Sequence, residues 1–417
     1  MMGGKDKKVT GFMADMSPPD KNRKVRAKRS KSSGTVADFR YKKAPRTAKP
    51  ARAKSAPAPA VSRAASNGAI RPQHDAERAP NLAIQSYRKR GQAYAALDLG
   101  TNNCRLLIAR PSGEHFTVID AFSRVVRLGQ GLSQSGRLSD EAMDRALGAL
   151  RICADKLRRR NVRLARSVAT EACRRAENGA DFIDRVREET GIALDIISAQ
   201  EEARLAVLGC HILLESGLGP AIIFDIGGGS TELVLIEPGG PVPRILDWQS
   251  VPWGVVSLTD TVGRVEGSAN QRAAIYAQMR ARVMEDFAPI AERIAGYAKT
   301  APTIRLLGTS GTVTTLASLH LELTQYDRQA VDGLIVPASD MREISGRLAK
   351  LSPDERRAIP CIGNDRATLV VAGCAILESI LDIWPAERLG VSDRGIREGI
   401  LRSLMAEEIG PGRRAAE

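Results

Sequence analysis

Aromatic residues make up only 4% of this 417-residue chain. Phe39, Tyr41 and Tyr87 are sparse markers in its most basic stretch, so base stacking on aromatic platforms is not indicated there. No aromatic-rich nucleoside pocket is visible either. Cysteine is scarce: six residues, at 104, 153, 173, 210, 361 and 374, with no C-x-x-C spacing and apolar neighbours. That pattern predicts reduced, mostly buried thiols in a cytosolic setting and argues against a disulfide scaffold or a thiol nucleophile. The four histidines (74, 115, 211 and 320) do not cluster, which argues against zinc. No apolar run reaches membrane-spanning length and the N-terminus shows no signal-peptide core, so a cytoplasmic protein without membrane contact is expected.

What is abundant is positive charge, and it is unevenly placed. Residues 1–90 hold 23 Lys/Arg against 6 Asp/Glu, leaving 39 against 42 for the rest of the chain. Basic clusters (Lys21–Lys31) alternate there with Ala/Pro/Ser spacers (Pro50–Ser66), and large apolar residues are few. Such a segment cannot bury enough surface to offset chain entropy and is expected to be disordered. It reads either as a solubilising extension or as an arm that contacts polyanions.

The stretch that organises the remainder is Ala221–Glu237, AIIFDIGGGSTELVLIE. Two short apolar runs, read as buried strands, flank Gly227, Gly228, Gly229, Ser230 and Thr231. Glycines on a tight strand-to-strand turn let backbone amides approach an anion. Asp225 and Glu232 bracket the turn, and such carboxylates beside a phosphate-sized pocket suit Mg²⁺. A plain glycine hairpin is the bland alternative. A dinucleotide fingerprint fits poorly, since β-type residues rather than a helix follow, and no Gly-Lys-Ser/Thr completes a Walker loop.

Residues 94–110, YAALDLGTNNCRLLIAR, echo the motif with Asp98 and Gly100. Both copies continue into a third candidate strand, at 115–122 and 243–251. A unit repeated a domain's length apart points to duplicated halves. Two opposed Asp-x-Gly hairpins at a cleft describe the actin/Hsp70/sugar-kinase architecture, an α/β fold.

Between the copies, Ser139 and Asp140 cap a predicted helix to about Arg160 carrying Met143, Leu147, Leu150 and Leu157 on one face. Strands are predicted near 162–169 and 193–197. A helix then opens with QEEARL, whose two glutamates read either as dipole compensation or as a carboxylate facing the cleft. After the second copy a long helix covers about 268–298. A strand at 304–307 enters GTSGTVTTLA, where Gly308 to Thr312, including Ser310 and Gly311, open a helix suited to an anion. Helices near 339–350, 366–382 and 394–408 and a strand at 388–391 complete the chain.

Eight ordered segments carry a resemblance: AALDLGTNNCRLLIAR, SVATEACRRA, IISAQEEARL, IFDIGGGSTELV, SVPWGVVSL, LLGTSGTVTTLA, GNDRATLVVAGCAIL and VSDRGIREGIL. Together they resemble the exopolyphosphatase/guanosine pentaphosphate phosphatase (Ppx/GppA) family in its short, two-domain form. The resemblance implies two ribonuclease-H-like domains flanking a cleft, at 92–210 and 211–410, after a basic extension over 1–91 and before a tail at 411–417. It implies removal of terminal phosphate from polyphosphate or guanosine pentaphosphate, dependent on Mg²⁺ with a monovalent cation as a further ion, and often a homodimer. The family's catalytic glutamate matches Glu202 better than Glu201. Metal ligands match Asp98, Asp225 and Glu232. Phosphate-binding positions match Gly100, Thr101, Asn102, Arg174, Gly227, Gly228, Gly229, Ser230, Ser310, Gly311 and Thr312. Long members add a C-terminal helical region that this chain does not show, which argues against processive action on long polymer. Where many relatives carry His-Gly, this chain has Asp332-Gly333. A sugar or acetate kinase on the same fold and a non-catalytic polyanion-binding regulator are the rival readings.

Overall fold

The computed structural model describes residues 91–113, 115–240, 242–298 and 304–409. The predicted basic extension and the tail at 411–417 lie outside these residues, Gly91 excepted.

Two sheets hold the chain together, and their topologies match. The first has strands β1 (Ala93–Leu99), β2 (Asn103–Ser112), β3 (His115–Val125), β4 (Val162–Ala169) and β5 (Leu194–Ile196), in the order β3-β2-β1-β4-β5. The second has β6 (Ala221–Ile226), β7 (Thr231–Glu237), β8 (Arg244–Val251), β9 (Arg305–Thr309), β10 (Ile335–Pro337) and β11 (Arg388–Ser392), in the order β10-β11-β9-β6-β7-β8. In each, a three-stranded antiparallel meander is extended by two parallel strands from its first strand. The second sheet adds β10 antiparallel at its edge. These are the two ribonuclease-H-like halves of an actin-like fold, and the repeated motif forms the first hairpin of each.

Helices fill in as their periodicity dictates. The helix Asp140–Arg159 is capped by the Ser139 side chain, which accepts from the Ala142 amide, and buries Met143, Leu147 and Leu150. In Ala269–Ala298, Met279, Val283, Phe287, Ile290 and Ile294 form one buried stripe at helical spacing. The helix Val370–Ile383 is apolar on nearly every side because it lies inside the second half, buried from Val370 to Leu381. Among the described residues no helix is long and apolar enough to cross a membrane.

The last helix, Ile396–Ile409, falls within the stretch assigned to the second domain, yet it returns to the first sheet. Ile396, Ile400, Leu401 and Leu404 pack with Tyr94, Ala96, Leu107 and Leu205. It crosses the helix Ala199–Cys210 almost backbone to backbone. A Cβ on Gly209 would sit 2.0 Å from the Gly395 carbonyl oxygen, and one on Gly399 would sit 2.0 Å from that of Leu205. This contact fixes the helix that carries Glu202.

Several short elements were not anticipated, among them the helix Glu171–Arg175, the helix Arg328–Val331, strand β10 and the helix Pro353–Ala358. They are too brief for a period to show. Pro353–Ala358 had a readable signature, since Ser352 and Glu355 form a reciprocal capping box.

Candidate active site

The two glycine-bearing turns meet. A Cβ on Gly228 would lie 3.0 Å from the Thr101 Cβ, and one on Gly229 would lie 2.6 Å from the Thr101 Oγ1. The glycines are therefore required by the facing turn, a stronger constraint than the approach of an anion alone.

Each turn is tied from outside by its carbonyls. In the first, Gly129 donates to the Thr101 carbonyl, while Val126 and Arg127 donate to that of Asn102. In the second, Val255 donates to Gly227 and Val256 to Gly228. Gly254 can press against this turn only because it lacks a side chain: a Cβ there would lie 2.4 Å from the Gly228 carbonyl carbon. With the carbonyls engaged, the amides of Thr101, Asn102, Gly228, Gly229 and Ser230 find no acceptor among the described residues. Free amides beside a cavity form an anion cradle.

That cavity lies between the halves, and nearly all of the expected residues line it: Asp98, Gly100, Thr101 and Asn102 from the first turn, Glu202 from its helix, and Asp225, Gly227, Gly228, Gly229, Ser230 and Glu232 from the second hairpin. Ser310, Gly311 and Thr312 complete it at the start of the helix Gly311–His320. Ser310 is held at φ 132°, a conformation a residue with a side chain rarely adopts, at a cost of about 1–3 kcal/mol. Its buried hydroxyl and the Asn102 Oδ1 have no partner among the described residues. Strain and orphaned polar atoms at one cavity mark a place for a ligand.

Acidity dominates the electrostatics. Asp225 and Glu232 stand directly opposite each other across the β6–β7 ladder. Burial, then Glu232, then Asp98 push Asp225 up to about 8, with Arg105 opposing. Burial raises Glu232, held back by hydrogen bonds that the Ser230 and Ser250 hydroxyls donate at 2.6 and 2.9 Å. Burial also raises Asp98, against Arg105 and Arg397. Glu202, 6% exposed, is raised well above the usual carboxylate range by burial and by Glu232, with Arg174 opposing. Its neighbour Glu201 faces away. Hydrogen bonds from Arg204 first and then Arg166 hold Glu201 below the usual range, and it does not line the cavity.

One expected residue is placed differently. Arg174 does not line the cavity. Its Nη1 donates to the Ile197 carbonyl at 2.8 Å and to Glu202 at 3.1 Å, while Nη2 donates to Glu171 at 2.7 Å. Its fork is engaged by carboxylates, so in this structure it partners the glutamate rather than facing an anion.

Three charged lining residues escaped the sequence reading: Arg105, Glu171 and Arg366. Arg366 donates from Nη1 to the Thr315 hydroxyl at 3.0 Å. Arg105 was findable. It follows Asp98 by seven positions, the same offset that separates Glu232 from Asp225, and it stands opposite Asp98 in the β1–β2 ladder.

The residues present fit a hard cation shared with phosphate. Several carboxylates held in their less acidic state, together with the unpartnered Asn102 Oδ1, are oxygen donors without sufficient countercharge. No group of three or more His, Cys, Asp or Glu side chains among the described residues can hold a metal by itself. Mg²⁺ is commonly bound by one or two carboxylates, water and substrate phosphate.

The chain is similar to known proteins. The chain is 31% identical over 327 residues to "Exopolyphosphatase 2" of Mycobacterium tuberculosis, covering 74% of this chain and 98% of that protein. The crystal structure of the Aquifex aeolicus Ppx/GppA family member superposes with a TM-score of 0.61 at 26% identity, covering 76% of this chain and 99% of the other. An exopolyphosphatase from Cytophaga hutchinsonii gives 0.66 at 26% identity, covering 76% and 98%. The profile of the Ppx/GppA phosphatase family matches residues 107–408, and this chain belongs to that family of phosphohydrolases.

Proposed function

We propose that the enzyme removes the terminal phosphate from inorganic polyphosphate by attack of water, with Glu202 as general base. The observation that carries the reading is the placement of Glu202. It is the buried glutamate of the pair, it faces the same cavity as Asp98, Asp225 and Glu232, and two turns with free amides line that cavity.

Phosphoryl transfer asks a protein chiefly to position groups and neutralise charge. The amides of residues 101–102 and 228–230 would hold the oxygens of the terminal phosphates, with Arg105 and Arg366 adding charge from the cavity wall. Asp98, Asp225 and Glu232 would hold Mg²⁺, which when bound supplies positive charge to the phosphate oxygens. Glu202 would take the proton of the attacking water as its oxygen bonds to the terminal phosphorus, and the shortened chain would leave on its bridging oxygen. A carboxylate raised by burial is a stronger base once ionised, and Arg174 favours its ionised form.

The test is phosphate release by the full-length protein with Mg²⁺ from long-chain polyphosphate, tripolyphosphate and guanosine pentaphosphate. Glu202→Gln is expected to lose about 10²–10⁴-fold in kcat while still binding substrate. Retained turnover would overturn Glu202 as the base, and faster release from guanosine pentaphosphate would replace the proposed substrate.

A further inference from the structure

Beyond the residues that line the cavity, the two halves touch again next to it. The Arg127 Nη2 donates to the Asp365 Oδ1 at 2.6 Å, one residue from the first half and one from the second. Both side chains are exposed, at 47% and 59%. An exposed pair of this kind adds little net stability and is easily exchanged for other partners.

The position of the pair suggests what it is for. Asp365 is the chain neighbour of Arg366, which lines the cavity. The Arg127 amide donates to the carbonyl of Asn102, so its backbone is bonded directly to the first phosphate turn. Arg127 is also held at φ 50°, in the left-handed region that a residue with a Cβ disfavours. Arg145 stands beside it, donating from Nη2 to the Arg127 carbonyl at 3.3 Å and from Nε to the Val126 carbonyl at 2.9 Å. Arg145 forms no ion pair with a carboxylate among the described residues. Arg105 and Arg366 thus line the cavity, while Arg127 and Arg145 stand just outside its lining, tied to the first phosphate turn. Asp365 is the carboxylate bonded to Arg127 there.

We infer that Arg127 is a chain-length-determining residue that holds phosphates of a polyphosphate chain beyond the terminal one, and that Asp365 occupies Arg127 until a chain displaces it. The inference rests on the proposed action on polyphosphate. A short substrate ends inside the cavity and gains little from Arg127. A long one extends past the cavity lining, where its phosphates exchange with a carboxylate for the same guanidinium. Guanidinium pairs with phosphate in the same forked geometry as with carboxylate, so the exchange requires no rebuilding of the site.

The experiment compares KM for long-chain polyphosphate and for tripolyphosphate in the wild type, Arg127→Ala and Asp365→Ala. In Arg127→Ala the ratio of long-chain to tripolyphosphate KM is expected to rise about tenfold. In Asp365→Ala it is expected to fall, because the competitor for the guanidinium is gone. Both shifts should shrink with added salt. The opposite signs decide the matter: a clasp that merely joins the halves would be broken equally by either change, so parallel effects overturn the inference. A ratio that stays put in Arg127→Ala also overturns it while leaving the proposed reaction standing. Absence of phosphate release from either substrate by the wild type would instead remove the proposed reaction and this inference with it.

Discussion

The first hairpins of the two halves share the spacing across their turn and the aspartate before it, and they differ in what faces it. In β1–β2, Asp98 is opposite Arg105; in β6–β7, Asp225 is opposite Glu232. Facing side chains on adjacent strands lie close enough for opposite charges to attract and like charges to repel. The first half therefore carries its countercharge within the ladder. The second half stacks two carboxylates, and Asp225 is pushed up to about 8 partly by that neighbour. The two turns are equivalent in spacing, and one difference of sign separates them into a self-compensated side and a side that favours a cation from outside.

The largest effect should come from erasing that difference. Glu232→Arg would copy the first hairpin onto the second, and Glu232→Gln would remove the charge while keeping the shape. Phosphate release should fall at least about a hundredfold in Glu232→Gln and further in Glu232→Arg. Activity close to wild type in Glu232→Gln would mean that the acidic pair is not needed.

A second comparison concerns the glycines that support each turn from behind. A Cβ on Gly254 would strike the backbone of Gly228 at 2.4 Å, whereas one on Gly129 would meet the Thr101 methyl at 2.3 Å. A side chain can rotate aside and a backbone turn cannot. Gly254→Ala should therefore destabilise the protein by about 1–3 kcal/mol and impair turnover, with Gly129→Ala the milder of the two. Chemical denaturation of both variants measures this, and the reverse order would contradict it.

The smallest effect is on stability against pH. An aspartate raised from its ordinary value to about 8 binds its proton more readily in the folded state than in the unfolded chain. Its contribution is fully present below about pH 4 and is lost as pH rises through about 8. Melting temperature without divalent cation should thus decline from pH 6 to pH 9, less so in Asp225→Asn. Mg²⁺ should restore more at pH 9 than at pH 6. A flat profile in the wild type would show that the acidic hairpin is compensated from within.

Much of this arrangement was legible in the sequence because it is local. The Asp225 turn, its echo at Asp98, and Ser139 as a cap are contiguous patterns, and Glu202 sits at a fixed place in its helix. What stayed hidden depends on pieces distant in the chain. Arg366 reaches the cavity only through the packing of the second half, and Glu171 only because a five-residue helix turns it inward. Arg174 matched a phosphate-binding position by its place in a family motif, which does not show the two glutamates that engage it here. The reason for Gly228 and Gly229 was likewise out of reach, since the obstacle is Thr101, more than a hundred residues earlier.

The crossing of the last helix over Ala199–Cys210 bears on how the enzyme comes into being during translation. Domains generally fold as the chain emerges, N-terminal part first. Here the helix carrying Glu202 rests on Gly395 and Gly399, which the ribosome adds roughly two hundred residues afterwards. The first half can gather its sheet early, yet the face formed by Tyr94, Leu107 and Leu205 stays bare until Ile400 and Leu401 arrive. Until the helix Ile396–Ile409 has been made, the helix of Glu202 lacks the support of Gly395 and Gly399, and the first half keeps an apolar face uncovered.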